Sequence, residues 1–190
     1  TEIEAHDGAC AVHYRIQIDE PMTHHIGNVF ATVGKDATVE TYSFAFGGGI
    51  TRIDVNADLI GPGGNIIMNG LFMVNENQHI DHHTRVRHRV GRTYSNENYK
   101  GIADGNGRGV FNGKILVEKD AQKIEALQSS KNLLLSDGAE IDTKPELEIY
   151  ADDVKCAHGA TVGQLDEDAF FYLRSRGIDE QSARSILTFA

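Results

Sequence analysis

The chain carries only two cysteines, Cys10 and Cys156, far apart in sequence. A small secreted domain held by disulfides uses more than that, so a reducing cytosol is the expected compartment. Basic residues are scarce: 18 Lys and Arg stand against 28 Asp and Glu, a formal charge of −10. A nucleic-acid surface needs clustered Lys and Arg to meet phosphate, so that class is excluded. No apolar run approaches the roughly 18 residues that span a bilayer. Thr1-Glu2-Ile3-Glu4 also lacks the basic start and apolar stretch of a secretory signal. A cytoplasmic protein without nucleic-acid or membrane partners is therefore expected. The missing initiator Met points to a fragment of a longer protein. Tryptophan is absent and proline occurs three times, which excludes nothing.

What is present suits a folded domain. With 190 residues, 40% hydrophobic and 24% charged, the chain can bury a substantial core. Up to about residue 160 it reads as strand after strand, with β-branched and aromatic runs such as Thr38-Val39-Glu40-Thr41-Tyr42-Ser43-Phe44. Turn signals at Gly34, Gly47-Gly48-Gly49, Gly61-Pro62-Gly63-Gly64, Gly91, Gly105-Asn106-Gly107 and Ser136-Asp137-Gly138 separate these strands. A sandwich, a barrel and a stacked β-solenoid all fit such a pattern. Ile66-Ile67-Met68 and Leu71-Phe72-Met73-Val74 are apolar on both faces, as where coils stack and both sides are covered, and this favours the solenoid.

The final residues change character. Asp166 caps an expected helix with Ala169, Phe170 and Leu173 on one side, and Gly177 stops it. Asp179 caps a second helix carrying Ala183, Ile186 and Leu187. Their apolar stripe is expected to pack on the β domain, with a partner protein as the other option.

Three segments invite chemistry. In Gly105-Asn-Gly-Arg-Gly-Val-Phe-Asn-Gly113-Lys114, a phosphate loop would need glycine at Arg108 and Ser or Thr at Ile115. A dinucleotide loop would need glycine at Val110, so the stretch reads as a flexible turn. On a strand, His79, Asp81, His83, Arg85, Arg87 and Arg89 share a solvated or partner-facing side, while Ile80, His82, Thr84, Val86, His88 and Val90 share an inner one. His82 and His88 then need hydrogen-bond partners, and a structural role outweighs a metal one because no carboxylate or thiolate joins them. Cys10 reads as an ordinary thiol.

The sharpest feature is Val154-Lys155-Cys156-Ala157-His158-Gly159. On a strand, Cys156 and His158 leave the same face with α-carbons roughly 6.5 Å apart. Thiolate and imidazole suit iron or zinc, but two ligands leave a tetrahedral site half built. A buried structural thiol is the plainer reading of the spacing alone.

From Val110 onward the chain resembles the SufB/SufD family of iron–sulfur cluster assembly scaffolds. The matching blocks include Val110-Phe-Asn-Gly-Lys-Ile115, Asn132-Leu-Leu-Leu-Ser-Asp137, Ala139-Glu-Ile-Asp-Thr-Lys-Pro-Glu-Leu-Glu-Ile149 and Asp153-Val-Lys-Cys-Ala-His-Gly-Ala-Thr-Val-Gly163. Asp81-His-His-Thr84 and Tyr99-Lys-Gly-Ile102 extend the likeness upstream. Gly159 stands where the SufB branch carries an acidic residue, and Tyr172-Leu-Arg-Ser-Arg-Gly177 also resembles the SufD branch.

The resemblance implies an all-β, right-handed parallel β-helix over residues 1–163 and a helical segment over 164–190. It implies a non-enzymatic scaffold that pairs with a SufB-like subunit through the β-helix ends. It further implies docking of a SufC-like ATPase through residues 164–190, and leaves a homodimer open when the chain is alone. Carried over, Cys156 and His158 become metal ligands near the dimer interface. They would hold transient iron or a nascent iron–sulfur cluster shared with the partner, with no tightly bound cofactor. Two other classes stay in view: a purely architectural subunit without metal, and a β-helix enzyme acting on polysaccharide. The latter needs paired carboxylates, and Asp152-Asp153 is the one tempting pair.

Overall fold

The computed structural model describes residues 1–189. The odd-numbered strands β1 (Glu2–Ala5), β3 (His24–Val33), β5 (Ile50–Leu59), β7 (His79–His88), β9 (Arg108–Val117) and β11 (Glu140–Ile149) form one sheet in that order. The even-numbered strands β2 (Cys10–Gln17), β4 (Thr38–Ala45), β6 (Asn65–Val74), β8 (Tyr94–Ala103), β10 (Ile124–Leu134) and β12 (Val154–Gln164) form the other. Every neighbouring pair is parallel. Paired residues stand between 26 positions apart (His24 with Ile50) and 32 apart (Arg108 with Glu140). The chain thus winds as a parallel β-helix of about six turns, one strand of each sheet per turn. Parallel crossovers of this kind are right-handed.

Alternation builds the core. One residue in two points between the sheets, where Val33, Leu59, Ile66, Phe72, Phe111 and Ile115 are wholly buried. Corners are closed by residues in the left-handed region: Gly8, Asp36, Gly63, Arg92 and Lys123 recur on one side of the helix. Their backbones stack, with Gly63 N–H donating to Arg92 O at 2.8 Å and Arg92 N–H to Gln122 O at 2.9 Å. Successive corners come very close at Gly61, where a Cβ would lie 2.1 Å from the backbone nitrogen of Lys35. Gly61→Ala is therefore expected to cost about 1–3 kcal/mol by overpacking, seen as a lower urea midpoint at unchanged slope.

Several expectations are corrected. The stretch 105–113 is a turn only at its start; from Arg108 it is the core strand β9, with Gly113 facing inward against Gln128. Ile67, Leu71 and Met73 are not covered by a second layer. They face out from β6, and Met73 is 44% exposed, because stacking in this fold covers strand edges and only the inner face. The outer side of this sheet near β2 and β4 is likewise apolar, with Tyr14 stacked on Tyr42 at 4.9 Å.

The two helices are α1 (Glu167–Ser175) and α2 (Glu180–Phe189). Asp166 Oδ1 accepts from the Asp168 and Ala169 amides at 2.9 and 3.0 Å, and Asp179 Oδ1 from Ser182 at 2.9 Å. The capping expectation holds. The packing expectation does not: the helices pack mainly on each other, burying Ala183 alone, while Phe171, Tyr172, Ile186 and Phe189 stay exposed. Neither helix is long and apolar enough to cross a membrane.

Candidate metal centre

Strand β7 separates its two faces as the alternation requires. His83 pairs with Asp81 at 2.9 Å and Arg52 of the neighbouring strand with Asp81 at 2.5 Å, forming an outward ladder of charges. Such partly exposed pairs contribute little individually. Ile80, His82, Thr84, Val86 and His88 are buried between the sheets; Arg89 and Val90 lie past the strand, in the corner.

His88 shares hydrogen bonds with Thr93 Oγ1 at 2.7 Å and Ser95 Oγ at 3.0 Å. His82 meets Ser43 Oγ at 3.1 Å and lies between Phe72 and Tyr99, each ring centroid 5.6 Å away. Burial lowers the basicity of His82 to about 3 and of His88 to about 4, so both rings are neutral near pH 7.

Cys156 and His158 lie on β12, the last strand of its sheet, which pairs with β10 from Ile124–Val154 through Leu134–Gln164. Cys156 stands opposite Ala126 and His158 opposite Gln128, both buried inward positions of β10. Paired residues of a parallel ladder point the same way, so Cys156 and His158 share the inward side of the terminal coil. Among the described residues no further strand covers it, and most of β12 is exposed. The expected common face is therefore present, on a coil open at its end.

Cys156 packs partly against the core, and this burial pushes its thiol up. At neutral pH the sulfur is therefore protonated, and acting as a thiolate ligand would require losing that proton. No group of three or more His, Cys, Asp or Glu side chains able to hold an ion occurs among the described residues. Cys156 and His158 share their face without a third such side chain grouped with them. Cys10 is exposed at the opposite end, and Asp152 and Asp153 are exposed in the corner before β12.

The register also shows two residues that local spacing does not single out. Glu97 of β8 pairs with Gln128, which pairs with His158, so the three form one column across strands β8, β10 and β12. Glu97 is wholly buried and burial raises its carboxyl to about 7, while the hydrogen bond from Thr84 acts in the other direction. In sequence it sits in Ser95-Asn96-Glu97-Asn98, a polar run with no local sign of burial.

The family model for the SUF system FeS cluster assembly SufBD core domain matches residues 1–190. The chain is 40% identical over 178 residues to the iron–sulfur cluster assembly protein SufD of Escherichia coli K12, covering 94% of this chain and 42% of that protein. It is 35% identical over 187 residues to a SufBD family protein of Synechocystis (98% and 41%), and 33% over 171 residues to one of Mycobacterium leprae (86% and 44%). It thus spans less than half the length of these curated relatives. With a family model matched from end to end on a parallel β-helix, the chain belongs to the SufBD core family of the SUF iron–sulfur cluster assembly system.

Proposed function

We propose that the protein is a non-enzymatic, cytoplasmic scaffold on which a nascent iron–sulfur cluster is held between this chain and a SufB-like subunit. The observation that carries this reading is the placement of Cys156 and His158 on one face of the uncovered terminal strand. They supply one thiolate and one imidazole, and the partner supplies the remaining ligands. The cluster is cargo in this account: it is assembled and passed on, and no resident cofactor is required.

The free edge of β12 offers unpaired backbone donors and acceptors, which suits pairing with a second β-helix end. The exposed Phe171, Tyr172, Ile186 and Phe189 give α1 and α2 an apolar side on which a SufC-like ATPase docks. Hydrolysis there would reach the cluster through the short link from Asp166 to Gln164.

Anaerobic reconstitution of the complex with its SufB-like and SufC-like partners, followed by iron and sulfide analysis, tests the reading. Cys156→Ala with His158→Ala is expected to lower both by at least about tenfold, since even the outer partners of metal ligands are worth that much. Unchanged iron and sulfide would leave an architectural subunit that binds no metal.

A further inference from the structure

The column beneath His158 is built from groups whose hydrogen-bonding capacity is only partly used. Thr84 Oγ donates to Glu97 Oε2 from across the interior. Glu97 Oε1 and both polar atoms of the Gln128 side chain have no partner among the described residues, although Glu97 is 0% and Gln128 4% exposed. A buried polar group left in this state costs about 1–3 kcal/mol. Gln128 is nevertheless given room: a Cβ on Gly113 would lie 2.2 Å from its Nε2. Neighbouring strands stand about 4.8 Å apart, so Glu97, Gln128 and His158 follow one another at side-chain reach. One arrangement satisfies all three. The Gln128 amide donates to Glu97 Oε1, which turns its carboxamide oxygen toward the open end and His158.

We propose that Gln128, oriented by Glu97, is the positioning residue for His158, accepting the imidazole N–H that does not face the metal. This rests on His158 being a ligand, as proposed above. A metal-ligating histidine almost always donates its second ring N–H to a carboxylate, carbonyl or water, and that bond fixes both tautomer and ring direction. Here the acceptor is a carboxamide rather than a carboxylate, with the carboxyl one strand further in. A neutral acceptor next to the ring adds no charge to a site that already contributes a thiolate.

The direct readout is the tautomer of His158 in the full, iron-free chain at pH 8, followed by imidazole 15N NMR and assigned by loss of its signals in His158→Ala. The wild type and Glu97→Gln, which keeps an oxygen acceptor for the Gln128 amide, are expected to show one dominant tautomer. Gln128→Leu, and Gln128→Met as a second variant of similar volume, are expected to give a mixture. Ser130→Ala, two residues along the same inward face, is expected to leave the tautomer as in the wild type. In the reconstituted complex Gln128→Leu is expected to retain about tenfold less iron.

An unchanged tautomer in Gln128→Leu and Gln128→Met overturns the proposal, as does an equal change in Ser130→Ala or unchanged iron in the complex. If His158→Ala loses iron while Gln128→Leu does not, only the positioning role falls. If His158→Ala retains iron, the ligand assignment falls and the positioning role with it.

Discussion

Replacing Phe111 by Ala is expected to cost the fold about 3–5 kcal/mol, the range for deleting a buried aromatic ring. Phe111 is wholly buried on β9 and stacks on Tyr99 with ring centroids 4.6 Å apart. Tyr99 in turn touches His82, and His82 stacks on Phe72, so the ring is one member of a continuous aromatic column through the middle coils. Gly70 makes space for that column, since a Cβ there would lie 2.1 Å from the Tyr99 ring. The cavity left by Ala cannot close easily, because β9 is hydrogen-bonded to β7 on one side and β11 on the other. Phe111→Leu, which leaves a smaller void, is expected to lose less than half as much. Urea unfolding measures both, and a loss below about 1 kcal/mol for the alanine variant would show that the column relaxes instead of holding.

Acid is expected to destabilise the protein through its buried histidines, with Glu97 opposing them. His82 and His88 take up protons at about 6.5 when unfolded but only near 3 and 4 when folded. Between those limits the unfolded chain binds more protons, so stability is present above pH 6.5 and is lost as pH falls. At about 1.4 kcal/mol per unit, each costs about 3 kcal/mol by pH 4. Glu97 runs the other way. Its folded value of about 7 lies above its ordinary 4.5, so the fold holds a proton that the unfolded chain has released, and stability is lost as pH rises through that window. The groups facing it are Thr84, Gln128 and the Tyr99 phenol, which is itself pushed up by burial and by Glu97. None is a cation that would hold the carboxylate.

Glu97→Gln removes the opposing contribution. The variant is expected to be more stable than wild type by about 3 kcal/mol at pH 8 and about equal to it below pH 4.5. Between pH 4.5 and 6.5 the slope of stability against pH is expected to roughly double. Urea midpoints at pH 5, 6, 7 and 8 measure this. A Glu97→Gln variant less stable than wild type at pH 8 would mean that the carboxylate has a partner in the fold.

Much of the local structure was legible in residue order. The two faces of His79–His88 follow from alternation alone, and the caps at Asp166 and Asp179 follow from carboxylates placed before apolar helical spacing. The common face of Cys156 and His158 is the same argument over three residues. The stacking register was not legible. Coil lengths vary from 26 to 32 residues, and three of the five left-handed corners on one side are Asp36, Arg92 and Lys123, with glycine only at Gly8 and Gly63. No repeating motif can show through such variation. Glycine-rich spacing likewise misread the start of β9, because a glycine that admits a neighbour's side chain looks in sequence like one that makes a turn.

The candidate site divides along the same line. Residue order by itself determined that thiol and imidazole leave one face together, since a strand's period of two needs no tertiary information. Only the tertiary structure decided that this face belongs to an uncovered terminal coil and that Gln128 and Glu97 lie beneath His158. Those neighbours stand about 30 and 60 residues away in sequence, and strand pairing alone brings them within side-chain reach.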